Sequence, residues 1–302
     1  MNVSEKKIKQ SYSDKIFDIV NVIIMLVLLI IFAWPLWFVL IASFSDPNEV
    51  WLGNVLLLPR GITLYSYEKL LEHKSIWIGY GNTIFYTAVG TVMNLVMTIC
   101  CAYPLSQKDF RPRKVLLAFI MFTMYFSGGL IPKYLVVKDV GLLDTRWAMI
   151  IPGVLSVHNM LIMRSYFVNS IPSELQEAAT LDGANAAQYL IKVVLPLSKA
   201  SITVVGLYYG VAHWNDFYNA LIYLQDEKLY PLQSFLRDLL MTSRLALSNE
   251  TSEDPAMIEA MTKLEQTLKY SIIVVSAVPV LCIYPFIQKF FVKGVMVGSV
   301  KG

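Results

Sequence analysis

Residues 22–42 read VIIMLVLLIIFAWPLWFVLIA, a run without a charged side chain and with one interruption, Pro35. A helix rises about 1.5 Å per residue, so about 20 apolar residues cross the roughly 30 Å hydrocarbon core of a bilayer. The run therefore reads as a membrane span. It is longer than the roughly 7–15-residue apolar stretch of a secretory signal, and no A-x-A-like site follows it, so an uncleaved span is expected. Composition agrees: of 302 residues 56% are hydrophobic and only 16% charged, with mean hydropathy +0.55, whereas soluble domains carry about 25% charged residues. Such a chain is too apolar for intrinsic disorder, and its 3 cysteines are too few for a disulfide scaffold. A net charge of +3 with no basic block gives no footprint for nucleic acid.

Five further runs follow the first: 82–105, 115–131, 147–167, 200–224 and 270–288. The third is short and ends in Ser127-Gly128-Gly129, a helix stop; the fourth contains Pro152, His158 and Asn159; the sixth contains Pro279 and Pro285. Proline and polar groups inside spans are tolerated where neighbouring helices or a wet cavity satisfy the freed backbone. The expectation is an all-α integral membrane protein of six transmembrane helices over 22–290, with an amino-terminal segment 1–21 and a tail 291–302. Lys6, Lys7, Lys9 and Lys15, then Lys108, Arg111, Arg113 and Lys114, then Lys289, Lys293 and Lys301 all fall on one side. The positive-inside rule makes that side, with both termini, cytoplasmic. Cys100, Cys101 and Cys282 read as packing residues rather than a disulfide or metal pair.

Between the fourth and fifth spans, 169–198 is polar but patterned. Ser173 with Gln176 fits a capping box, and Glu174 and Glu177 place negative charge in the first turn of the helix that follows. Ala178 and Ala179 leave one face nearly free of side chains, and Asp182-Gly183 reads as a turn with Gly183 at a left-handed position. Asn185 and Gln188 form a second capping box opening another helix, and Pro196 marks the entry to the fifth span. The segment reads as a cytoplasmic helix-turn-helix. A smooth face beside Glu177 suits docking into the groove of another protein; the plainer alternative is an amphipathic connector lying on the membrane surface.

Glu177-Ala178-Ala179-Thr180-Leu181-Asp182-Gly183-Ala184, followed by Ile191 and Leu195-Pro196-Leu197, resembles the EAA loop, the signature of permease subunits of bacterial binding-protein-dependent ABC importers. Gly81-Asn82-Thr83, Gly128-Gly129-Leu130-Ile131-Pro132, Trp214-Asn215-Asp216-Phe217 and the ending Phe291-Val292-Lys293-Gly294 through Gly302 look like carbohydrate-importer permeases. The likeness is to the smaller permease of the maltose/maltodextrin type, in the branch associated with complex oligosaccharides. Ala200 departs from it, where many relatives have Pro. The resemblance implies that the first loop helix is a coupling helix seated in a cytoplasmic ATPase, through Glu177, Ala178, Ala179, Asp182 and Gly183. It also implies a second homologous permease, two ATPase subunits carrying ATP and Mg, and an extracellular sugar-binding protein. It further suggests that the tail from Lys293 to Gly302 reaches towards the ATPases, the alternative being a frayed terminus.

Tyr209, His213 and Asp216 are spaced i, i+4 and i+7, which puts them on one helical face, with Asn215 and Asn219 on neighbouring faces. Ionisable residues at membrane depth cost at least about 2.5–3.5 kcal/mol and face an interior. These five residues are therefore candidates for the sugar path; the alternative for each is helix–helix hydrogen bonding or a place at the outer interface. Gly206 and Gly210 form a G-x-x-x-G pattern, read as packing. His158 and Asn159 read as a satisfied core pair or a path contact, and Arg164 as a side chain snorkelling to the interface.

No P-loop, H-E-x-x-H, C-x-x-C or G-x-S-x-G motif occurs, so no cofactor and no catalysis are expected in this chain. A self-sufficient secondary transporter driven by an ion gradient is the alternative; it calls for internal repeats and a buried ion relay, and no clear repeat is visible. A membrane-embedded hydrolase would need an acid/base or metal set that the sequence does not assemble.

Overall fold

The structure is a computed structural model that describes residues 11–248, 268–283 and 285. It is helical throughout, with no strand among the described residues. The tail 291–302 and the end of the sixth predicted span, 286–288, lie outside them. The chain divides into two compact units, 1–70 with 243–274, and 71–242 with 275–302.

In the first unit, α1 (Tyr12–Ser43) begins well before the apolar run. Pro35 sits inside it, and its most apolar stretch is not buried by the rest of the chain. Uncharged helical surface of this length is stable where lipid or another subunit covers it. Only Ile41, Ala42 and Ser43 are buried, and the first two join Val50 and Val55 in a small core against which Phe38 and Tyr270 pack. Two short helices follow, α2 (Pro47–Trp51) and α3 (Tyr65–Glu72).

The second unit is organised on α4 (Lys74–Ser106), which is 33 residues long and therefore rises about 50 Å, more than a bilayer core. Against it pack α7 (Val157–Ser170) and α10 (Lys199–Trp214). The core joins Ala102, Tyr103 and Leu105 of α4 to Met160, Met163 and Phe167 of α7, and to Val205 and Tyr209 of α10. In a membrane such contacts stabilise through close packing and hydrogen bonds, since lipid is as apolar as the core. The glycines make the approach possible. A methyl group on Gly206 would stand 3.3 Å from Leu95 Cδ1, one on Gly210 3.6 Å from Thr91 Oγ1, and one on Gly90 would collide with the imidazole of His213. The G-x-x-x-G pattern is a packing surface for α4.

Three predicted spans are broken. The third ends as a helix at Tyr125 (α5, Arg113–Tyr125), and after Ser127-Gly128-Gly129 the chain turns by 113° into α6 (Leu130–Asp139). Gly129 has φ +85°, which a residue with a side chain rarely adopts. Alone, α5 rises only about 20 Å. The fourth opens as 3₁₀ turns over Arg146–Met149 and Ile151–Gly153, with Pro152 in the second, and bends 51° into α7. The fifth ends at Trp214, and a separate short helix, α11 (Tyr218–Tyr223), follows. Residues 200–224 are thus not one continuous helix. Next come α12 (Leu232–Ser248) and α13 (Leu268–Ile283), an apolar helix that overlaps the sixth predicted span. By length and composition α1 and α4 each suffice to cross a bilayer, and up to five spans result if each bent pair counts as one.

His158 and Asn159 do not form a core pair: Asn159 is buried and His158 exposed, as a step of about 100° along α7 dictates. Arg164 Nε donates to the carbonyl of Leu105 at 2.9 Å, and Arg113 donates to that of Gln107 at 3.1 Å. Two guanidinium groups thus satisfy carbonyls at the C-terminal end of α4, where the helix dipole favours cations.

Candidate functional site

Between α7 and α10 the chain leaves the bundle as two helices, α8 (Ser173–Leu181) and α9 (Ala186–Leu197). Pro172, extended at ψ 139°, is the N-cap of α8. The capping box expected at Ser173 and Gln176 therefore does not form, because Ser173 already has helical geometry and its hydroxyl lies inside the first turn. For the same reason Glu177 falls in the second turn; only Glu174 is in the first. At the other end Gly183 has φ +77°, its N–H donates to Thr180 O at 3.0 Å, and Ala184 N–H donates to Ala179 O at 2.9 Å. This pair of bonds is a Schellman turn that closes the helix. The Asn185 box forms: Gln188 N–H donates to Asn185 Oδ1 at 2.8 Å and Asn185 N–H to Gln188 Oε1 at 2.9 Å.

The adjacent alanines do not share a face. Ala178 is exposed, whereas Ala179 packs against the core of the second unit. Around Ala178 the free surface of α8 presents Glu174, Glu177 and Leu181, the last 90% exposed. Asp182 and Gly183 are exposed beside them. The arm is anchored at its base. Tyr189 is buried in the core, Tyr103 of α4 donates to Ala186 O at 3.2 Å, and Tyr166 of α7 donates to Leu197 O at 3.2 Å. Burial pushes the phenol of Tyr189 above its ordinary pKa. A π-helical stretch over Leu190–Val194 leads to an 82° bend near Ser198, where α10 begins.

The five path candidates separate. Tyr209 and His213 point into the bundle, where they meet the broken start of the fourth span. Tyr209 Oη lies 2.7 Å from Thr98 Oγ1 and accepts from Ser156 N–H at 3.0 Å. Asn94 Nδ2 donates to Gly153 O at 2.8 Å, which leaves its Oδ1 to accept from His213 Nε2 at 3.0 Å. The polar residues of α10 and α4 thus satisfy backbone groups near Pro152, as a break at membrane depth requires. Asp216 does not continue the face of Tyr209 and His213, because α10 has ended. Its carboxylate instead accepts from Asn219 N–H at 3.1 Å and from Asn219 Nδ2 at 2.7 Å. Asn215, exposed, donates back to Val211 O at 2.9 Å.

A cavity of about 760 Å³ has Asn219, but none of the other four, in its lining. Its walls are the turn 127–129, α6, Ile151-Pro152 and α11, so three helix breaks meet there. Lys133 enters it from α6, and Tyr218 from α11. Nearby loops are pinned tightly. Asp144, at φ 56°, accepts through Oδ1 from the N–H groups of Gln225 (2.8 Å) and Asp226 (2.9 Å), which hold its carboxyl below the ordinary pKa. Asn82 Nδ2 donates to Lys228 O and Tyr230 O, and Thr83 Oγ1 accepts from Leu232 N–H. No cluster of three or more His, Cys, Asp or Glu able to hold a metal occurs among the described residues.

Sequence reasoning missed Leu181, Lys133, Tyr103 and Asp144. A signal existed for Leu181, an apolar residue three positions past Ala178; the other three depend on contacts distant in sequence.

Comparison with known proteins shows the family. Residues 75–297 match the family model described as the binding-protein-dependent transport system inner membrane component. Protein LplC of Bacillus subtilis (strain 168) is 37% identical over 96% of this chain and 96% of its own length. The polygalacturonan/rhamnogalacturonan transport system permease protein YtcP of the same organism is 38% identical over 96% of this chain and 99% of its own. Among solved structures, a chain of a bacterial ABC transporter involved in the import of the acidic polysaccharide alginate superposes with a TM-score of 0.82 at 35% identity, over 94% of this chain and all of that one. The chain belongs to the binding-protein-dependent transport system inner membrane component family, and it is a permease of a sugar ABC importer rather than its ATPase.

Proposed function

We propose that the chain is one of two paired permeases, crosses the membrane six times with both termini in the cytoplasm, and carries an oligosaccharide inward by alternating access. Relatives named for polygalacturonan and for alginate favour an acidic chain as the cargo. The observation that carries the coupling reading is the free face of α8, where Glu177, Ala178 and Leu181 stand clear of the bundle while Ala179 seats the helix on it. A small residue flanked by an exposed leucine and a carboxylate suits a groove with an apolar floor and a basic rim. Two such grooves belong to cytoplasmic ATPase subunits, which bind ATP and Mg; an extracellular binding protein delivers the sugar. Asp182 and Gly183 set the turn that holds α8 out. When the ATPases close, force on α8 passes through α9 to α4 and α7 by way of Tyr103 and Tyr166, and the bundle changes which side it opens to. Affinity purification of the tagged chain with mass spectrometry tests this: a second permease and an ATPase should co-purify with it. Recovery of a lone chain that takes up sugar on an ion gradient would replace this reading with a secondary transporter.

A further inference from the structure

The cavity at the three helix breaks has a chemistry that the coupling function does not use. Its volume, about 760 Å³, lies within the roughly 300–1,000 Å³ range of ligand sites. Among its lining residues Lys133 is the only one with a full charge, and there is no Asp, Glu, Arg or His. Lys133 makes no ion pair among the described residues. Lys133 is exposed and stands beside the apolar Pro132 and Val136, so its ammonium is open to an anion that enters the cavity. Tyr218, 54% exposed, and Asn219 also line the cavity. Asp216 fixes the Asn219 amide through Nδ2, and the Tyr218 ring offers an apolar face with a hydroxyl at its edge, a combination that suits a pyranose ring.

We propose that this cavity binds a uronate residue of the transported chain, with Lys133 pairing with its carboxylate and so distinguishing acidic from neutral sugars. The proposal rests on the importer reading above and adds the residue and the charge class. Lysine brings three rotatable donors to a carboxylate and leaves the rest of the ring to Tyr218 and Asn219.

The test uses the whole importer complex in lipid nanodiscs, without its binding protein, so that calorimetry reports the permeases. The probes are trigalacturonate and its fully methyl-esterified, uncharged counterpart. The acid should bind about tenfold or more tightly than the ester, the scale of one charge-assisted contact. Lys133→Gln should erase that preference and Lys133→Arg should keep most of it. Equal affinity for the two probes, no binding of the acid, or a preference that survives in Lys133→Gln would overturn the proposal. So would a phospholipid retained by the wild type and lost from Lys133→Gln with no sugar preference, which would make the cavity a lipid site. The same preparation shows whether ATPase subunits are present. If they are and the preference is absent, the cavity proposal falls while the importer reading stands.

Discussion

The hydroxyl of Tyr103, near the end of the longest helix of the second unit, donates to the carbonyl of Ala186, the first residue of α9, across 3.2 Å. Tyr103 is 8% exposed, so its bond is formed within the packed base of the arm. A hydrogen bond of this kind contributes about 0.5–1.5 kcal/mol. Tyr103→Phe keeps the ring and removes the tether. It should lower the number of sugar molecules imported per ATP hydrolysed while leaving assembly intact, as measured in proteoliposomes; an unchanged ratio would show that force does not pass through this contact.

The two alanines of α8 predict opposite phenotypes. Ala178→Trp fills the exposed face and should abolish uptake and retention of the ATPase without lowering the melting temperature of the detergent-purified permease. Ala179→Trp intrudes on the core and should lower that temperature, since overpacking costs about 1–3 kcal/mol. Melting curves and pull-down of the ATPase separate the two outcomes.

At Gly90 the opposing imidazole leaves no room for a methyl group. Gly90→Ala should displace His213 from Asn94 and destabilise the bundle by about 1–3 kcal/mol. In a His213→Ala background the same change should cost much less, because the colliding ring is gone. Equal costs in the two backgrounds would contradict the packing seen here.

Asp144 predicts a pH effect with a definite sign. Its folded pKa is depressed by the two backbone N–H groups it accepts from, so its contribution is fully present above the unfolded value, about 4. That contribution is lost as pH falls through the lower folded value. Below about pH 4, wild-type stability should therefore decline with a component that Asp144→Asn lacks. Thermal midpoints recorded from pH 6 down to pH 3 check this, and parallel curves for the two proteins would refute it.

The membrane class, the approximate position of most helices, the Asp182-Gly183 turn and the Asn185 box were legible because they depend on local signals: apolar runs, a left-handed glycine and a side chain reaching three residues on. Of the breaks, the stop at Ser127-Gly128-Gly129 was legible too; those in the fourth and fifth spans were not. Hydropathy averages over Pro152 and over the polar end of α10, and a count of apolar residues does not register an 82° bend at Ser198. Spacing put Asp216 on a face with Tyr209 and His213 because it assumed a helix that ends two residues too early. The difference between Ala178 and Ala179, the seat of Arg164 on α4 and the entry of Lys133 into a cavity are tertiary facts, set by segments far apart in the chain.

The claim on which most depends is that α8 is gripped by a separate ATPase. A photo-crosslinking amino acid placed at Leu181, 90% exposed, tests it most directly in the assembled importer. Illumination should join this chain to the ATPase, and the yield should change between the nucleotide-free and ATP-bound states. Efficient labelling of lipid alone, in a complex that still hydrolyses ATP and imports sugar, would contradict it.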